Sequence, residues 1–157
     1  YADSVPPIWY WARVLAAGAA GDFETAEQIA AQAVEAYPQS GVLRNNLAVL
    51  LELGGALPQA EALARAAFQD EPSLPQLSKN LGDLAYRASR YDDAWNLYQR
   101  AIELAPELGD DVYFKLGNIA YKRNAREQAN ELWRRALELN PKHELVKANL
   151  ETLSSLS

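Results

Sequence analysis

The 157-residue sequence has no cysteine and no methionine, and its single histidine is His143. Without cysteine there is no disulfide, no thiol nucleophile and no thiolate-bound metal. That absence alone identifies no compartment, and a cytoplasmic location is the default expectation. The missing methionine includes an initiator, so the chain reads as a processed product or a piece of a longer protein. No apolar run reaches the roughly 18–20 residues of a membrane span, which argues against direct membrane insertion. The stretch Ile8 to Ala20 is apolar apart from Arg13, but no basic residue precedes it, so it reads as a helix of the domain rather than a signal-peptide core. Basic residues are scarce in the first half. Residues 1–78 hold only Arg13, Arg44 and Arg65 against nine acidic residues, and the net charge of the chain is −6. That balance argues against a nucleic-acid partner.

What is present suits a folded chain: 49% apolar residues and 23% charged, unlike a disordered acidic tail. The stretch Leu77 to Pro106 reads as two short amphipathic helices joined by a tight turn. Leu81, Gly82 and Ala85 share one face of the first; Ala94, Tyr98, Ala101 and Leu104 share one face of the second. Gly82, Ala94 and Ala101 are small where two helices would cross closely. Such a pair is too small to be stable alone, because burying about eight side chains at roughly 1.5–3 kcal/mol each does not offset ordering the whole segment. It needs neighbours of its own kind.

The chain supplies them. Prolines recur at Pro38, Pro72, Pro106 and Pro141, at intervals of 34, 34 and 35 residues. Alanines keep the same step at Ala26, Ala60, Ala94 and Ala129, and again at Ala33, Ala67, Ala101 and Ala136. Leu47-Ala48, Leu81-Gly82 and Leu116-Gly117 recur in the first helix of each pair. The one extra residue predicts a longer connection at Glu107-Leu108-Gly109-Asp110. Fixed periodicity of this length is the mark of a repeat array.

The pattern resembles the tetratricopeptide repeat (TPR) family, nearly completely at residues 77–106 and 112–141 and well at 43–72. The resemblance implies an all-α fold: a right-handed α-α superhelix of about four helix-turn-helix repeats (8–40, 41–74, 75–109, 110–143) with a capping helix over 144–156. Residues 1–7 read as a tail, and residues 8–157 as one domain. In the first repeat either Arg13-Val14 or Trp11-Ala12 stands where Leu-Gly is expected. Asp22, Ser89 and Asn124 (with Glu127) are expected helix caps. Pro58 and Pro75 fit a first helical turn. In the last helix Leu145, Leu150 and Leu153 are the expected apolar stripe, and Glu151 stands in the glycine position.

The family binds protein or peptide partners along the first helices of its repeats, without cofactor, metal or catalytic residues. The corresponding positions here include Asn46, Lys79, Asn80, Tyr86, Arg87, Phe114, Lys115, Asn118, Tyr121 and Lys122. Amides offer a donor and an acceptor to an extended backbone. The cations Lys79, Arg87, Lys115 and Lys122 would form a positive wall for an acidic or C-terminal segment, and the rings offer flat surface. The competing reading of Asn46 and Asn80 is that they bond neighbouring helices. The family's chaperone-tail carboxylate clamp fits poorly, because Trp11, Ala12 and Leu15 replace its first Lys and Asn, and Asp83 stands where a clamp begun at the third repeat needs its second Asn. Trp133, Tyr98 and Trp95 read as packing residues and His143 as a capping or surface residue. Trp9, Tyr10 and Trp11 either seal the N-terminal end or contact an upstream segment or another subunit, so self-association is the alternative expectation.

Overall fold

The computed structural model describes residues 5–156, and the secondary structure among them is helical. The elements are α1 (Pro7–Ala19), α2 (Phe23–Ala36), α3 (Gly41–Leu53), α4 (Leu57–Asp70), α5 (Pro75–Arg87), α6 (Tyr91–Leu104), α7 (Asp110–Lys122), α8 (Arg126–Leu139) and α9 (Glu144–Ser155). The first helix of each pair has 13 residues and the second 14. This regularity fixes the register of the first repeat. Because α1 has the same length as α3, Arg13-Val14 occupies the place of Leu47-Ala48, and Val14 is buried. None of these helices is long and apolar enough to cross a membrane.

The turn inside each pair is three residues long, and its middle residue is left-handed: Gly21 (φ 76°), Gly55 (φ 83°), Ser89 (φ 59°) and Asn124 (φ 61°). The following N–H closes the turn on the preceding helix, as in Arg90 to the Ala85 carbonyl at 2.8 Å and Ala125 to the Ala120 carbonyl at 2.9 Å. This corrects two expected caps. Ser89 and Asn124 do not cap α6 and α8; they terminate the helices before them, and Arg90 and Ala125 take the cap positions without side-chain bonds. Asp22 does cap, accepting from the Thr25 N–H at 3.0 Å. Pro58 and Pro75 lie in first turns, and each periodic proline follows a helix end by two residues. The connection after α6 is one residue longer than its counterparts, as the spacing predicts.

The chain divides into two compact units, residues 1–81 and 82–157. In the first, Val14, Ala26, Ile29, Ala30 and Leu47 form a core, with Tyr10, Leu50 and Leu63 against it. Arg44 is buried nearby with its Nη1 at 2.8 Å from Asp70. In the second, Ala85, Ala94, Tyr98, Val112, Leu116 and Ile119 form one core, and Tyr113, Ala120, Ala129, Trp133, Ala136 and Val146 another. Trp95 lies partly buried against both. The periodic alanines are fully buried, which lets the paired helices approach closely. Two glycines serve the same end. A Cβ on Gly82 would lie 2.7 Å from the Tyr98 ring, and one on Gly117 would lie 2.3 Å from the Trp133 ring.

The last helix departs from expectation at one residue. Leu145 is 62% exposed, while Val146 is fully buried with Leu150 and Leu153 beside its core. The repeat step explains this: Val146 falls on the position of buried Val112, and Leu145 on that of Asp111. His143 caps α9 through Nδ1, which accepts from the Val146 N–H at 3.3 Å.

Candidate functional site

A cleft of about 540 Å³ opens in the second unit, lined by Tyr86, Asn118, Tyr121, Lys122, Trp133, Asn149 and Thr152. Helical spacing puts Asn118, Tyr121 and Lys122 on one face of α7. Tyr86 comes from the last turn of α5, and Asn149 and Thr152 come from α9. Four of the ten residues expected to contact a partner therefore meet in one place.

Asn118 is the hub of this cleft. Its Nδ2 donates to the Tyr86 hydroxyl at 3.2 Å, and its Oδ1 accepts from Trp133 Nε1 at 3.2 Å and from Asn149 Nδ2 at 3.4 Å. Trp133 Nε1 also reaches the Phe114 carbonyl at 3.3 Å. The indole can only donate, so it fixes which end of the Asn118 amide faces it. The Tyr86 ring in turn lies under Lys115 Nζ, 5.7 Å from its centroid. Asn149 uses one N–H on Asn118 and keeps a second N–H and a carbonyl for another partner. Tyr121 is exposed beside Trp133, and Lys122 is exposed over the Tyr91 ring at 5.1 Å.

The expected positive wall is only partly positive. Lys115 Nζ sits 2.9 Å from Asp83 Oδ1 and 2.9 Å from Asp111 Oδ2, so two carboxylates match its charge. Burial works against that charge, but Asp83 and Asp111 outweigh it and hold the Lys115 pKa above the ordinary lysine value. Asp83 also accepts from the buried Tyr98 hydroxyl at 2.6 Å. Burial, followed by the Asp83 charge, pushes the Tyr98 phenol far above the ordinary range, so it stays a donor. Asp83, which breaks the clamp pattern, is thus the anchor of an internal network.

The remaining expected residues lie elsewhere. Phe114 stacks on His143 with centroids 4.8 Å apart, and Arg87 is exposed at the end of α5, outside the residues lining the cleft. Asn46, Lys79 and Asn80 belong to the first unit and are half-buried. Asn80 Nδ2 donates to the Oδ1 of buried Asn45 at 2.7 Å, a bond between neighbouring helices. Sequence reasoning missed Asn149 and Thr152. Their signal is the repeat step itself, since they fall on the positions of Lys115 and Asn118, but reading α9 only as a cap passes over it.

Comparison with known proteins places this geometry. The tetratricopeptide repeat family profile matches residues 12–75, 60–109 and 110–143. No curated relative matches the sequence. Among solved structures, the chain is similar to PilF of Pseudomonas aeruginosa, with 24% identity over 94% of this chain and 67% of that one and a TM-score of 0.82. It is also similar to MamA of Desulfovibrio magneticus, at 16% identity over 98% of this chain and 85% of that one, with a TM-score of 0.80. YrrB matches at 18% identity over 95% of this chain and 76% of that one, with a TM-score of 0.72. At these identities the likeness is one of fold. Repeats of this kind generally serve as protein–protein interaction scaffolds. With the family profile matched over most of its length and the 34-residue step realised helix by helix, the chain belongs to the tetratricopeptide repeat family.

Proposed function

We propose that the chain is a non-catalytic interaction scaffold that holds an extended peptide segment of a partner protein in the cleft formed by α5, α7 and α9. One observation carries this reading. The cleft joins an oriented amide network, with donor and acceptor capacity left on Asn149, to exposed Tyr121 and the cation Lys122. An amide pairs with peptide backbone whatever its sequence, and a lysine selects a carboxylate. Because Lys115 is matched by Asp83 and Asp111, preference for an acidic side chain or a C-terminal carboxylate falls on Lys122. Phe114 and Lys115 support the site from behind, and Arg87, outside the residues lining the cleft, is assigned a secondary contact. The similar fold of YrrB, described as having an unusual peptide-binding site, is in keeping with this use.

Affinity capture followed by peptide mapping would supply the ligand. The double substitution Asn149→Ala with Lys122→Ala should then weaken binding about tenfold or more, since a charge-assisted hydrogen bond contributes about 1.5–3 kcal/mol. Amidation of a C-terminal ligand should weaken wild-type binding and leave the double variant unaffected. Unchanged affinity in a folded double variant would remove the assignment.

A further inference from the structure

The buried rings of α6 and α8 do more than fill space. Tyr98 and Trp133 hold the same position in successive repeats, and each donates to one equivalent position of its paired first helix. Tyr98 Oη donates to Asp83 Oδ1 at 2.6 Å, and Trp133 Nε1 to Asn118 Oδ1 at 3.2 Å. In the first two repeats the ring position holds Ala30 and Ala64, and the position facing it holds Leu15 and Val49. Across the four repeats an acceptor stands where a ring can donate to it and an apolar residue where none can. The polar atom of the ring is therefore used as well as its bulk.

The two rings differ in one respect: a tyrosine hydroxyl both donates and accepts, whereas an indole N–H only donates. Around Asn118 this difference sets a direction. Tyr86 and Asn149 can bond to Asn118 either way round, because a hydroxyl gives or takes and an amide can turn over. Trp133 cannot, since a turned Asn118 would set Nδ2 against the indole N–H, two donors at the 3.2 Å now spanned by a bond. Asn118 therefore keeps Oδ1 toward Trp133 and turns Nδ2 to the Tyr86 hydroxyl at 3.2 Å. The Tyr86 oxygen is an acceptor within the network, and its own proton points away from Asn118. We propose that Trp133 is a positioning residue that makes Tyr86 a committed donor to the guest, so that the guest presents there an oxygen acceptor, a carboxylate or a backbone carbonyl. The inference rests on the peptide-binding reading of this cleft and narrows it. Asn149, with an N–H and a carbonyl to offer, takes either kind of group. At Tyr86 a guest N–H would face an outward proton and be left unpaired, which is costly in a cleft.

The test uses the whole isotope-labelled chain and two probes, acetyl-trialanine and its C-terminal dimethylamide, whose ends accept hydrogen bonds and carry no N–H. Both should give saturating NMR shifts of the side-chain N–H signals of Asn118, Asn149 and Trp133. Tyr86→Phe should weaken both about three- to tenfold. Lys122→Ala should weaken the acid alone, which separates carboxylate from carbonyl. Two Asn118 variants then test the direction. Asn118→Asp keeps an acceptor for Trp133 and Asn149 but draws the Tyr86 proton inward, whereas Asn118→Ala leaves that proton to the guest. The dimethylamide should bind the alanine variant more tightly than the aspartate variant; a merely structural role for Asn118 gives the reverse order. Trp133→Tyr keeps a buried ring, as Tyr98 is in the preceding repeat, but its hydroxyl can accept. Asn118 can then turn over, and dimethylamide affinity should fall about twofold at unchanged circular dichroism, as expected when Tyr86 faces the guest in about half of the molecules. Unchanged affinity in Tyr86→Phe overturns the donor, the reverse order of the Asn118 variants overturns the direction, and unchanged affinity in Trp133→Tyr overturns the role of Trp133. Absent shifts with both probes overturn the inference, while the double substitution at Asn149 and Lys122 still decides the peptide-binding reading by itself.

Discussion

At the scale of single residues, the closest approaches decide which positions tolerate change. Gly117 and Gly82 lie against the rings of Trp133 and Tyr98, and neither ring can yield, because both are buried. Gly117→Ala and Gly82→Ala should each cost about 1–3 kcal/mol by overpacking, with the larger loss at Gly117, where the approach is closer. A Cβ on Gly18 would meet nothing within 4 Å, so Gly18→Ala in α1 should instead stabilise by about 0.5–1 kcal/mol. Urea titration of the three variants checks the ordering. The Lys115 network makes a second prediction. Lys115→Met should destabilise by about 1–3 kcal/mol at neutral pH, because Asp83 and Asp111 lose a shared partner. The folded pKa of Lys115 is raised, so its contribution is complete below the unfolded lysine value of about 10.4 and is lost as pH rises through the folded value. Thermal melts of wild type and variant should therefore differ from neutral pH to about 10 and converge in stronger alkali.

At the scale of elements, the turns rather than the caps set the repeat. The left-handed residue of the first two pairs is glycine, and in the later two it is Ser89 and Asn124. Serine there bears the steric cost of its Cβ against the following carbonyl. Ser89→Gly should raise stability by a few tenths to about 1 kcal/mol, and Ser89→Val should lower it by more than about 1 kcal/mol. A serine acting as an N-cap would give the opposite sign with glycine, so the equilibrium unfolding of these two variants separates the roles. The misreading of Ser89 and Asn124 has a plain cause. Ser and Asn both favour N-caps, Asn also tolerates the left-handed region, and Ser89 and Asn124 stand within two residues of a helix start in either role. The terminal helix shows the converse. Projecting the 34-residue step onto α9 identifies Val146 as its core residue and Asn149 and Thr152 as groove residues, whereas reading its leucines as a stripe misplaces Leu145.

At the scale of the whole molecule, contacts are dominated by pairs close in sequence, so stability should behave as a sum over neighbouring repeats. Gly117→Ala offers a test of that locality. Amide hydrogen exchange should quicken strongly in α7 and α8 and much less in α1 to α3, whereas a single cooperative block would quicken everywhere alike. The charge is as unevenly spread as the contacts are local. The first 78 residues are acidic and the rest are balanced, and the candidate cleft with its lysine lies in the balanced part.

The sequence by itself determined the repeat, the helix pairs and most of the packing residues, though not Leu104 and Leu145, which are exposed. Those depend on periodic small and apolar side chains whose neighbours lie within one step of about 34 residues. It also narrowed the candidate contact residues to one face of each first helix. Only the tertiary structure decided which of them remain available. Asn46 and Asn45, or Lys115 and Lys122, are indistinguishable as residue types, but a bond to Asn80 or a place between Asp83 and Asp111 commits one of each pair to the framework. Such commitments join side chains some 30 residues apart through angles and distances of less than 3 Å, and no local pattern encodes them.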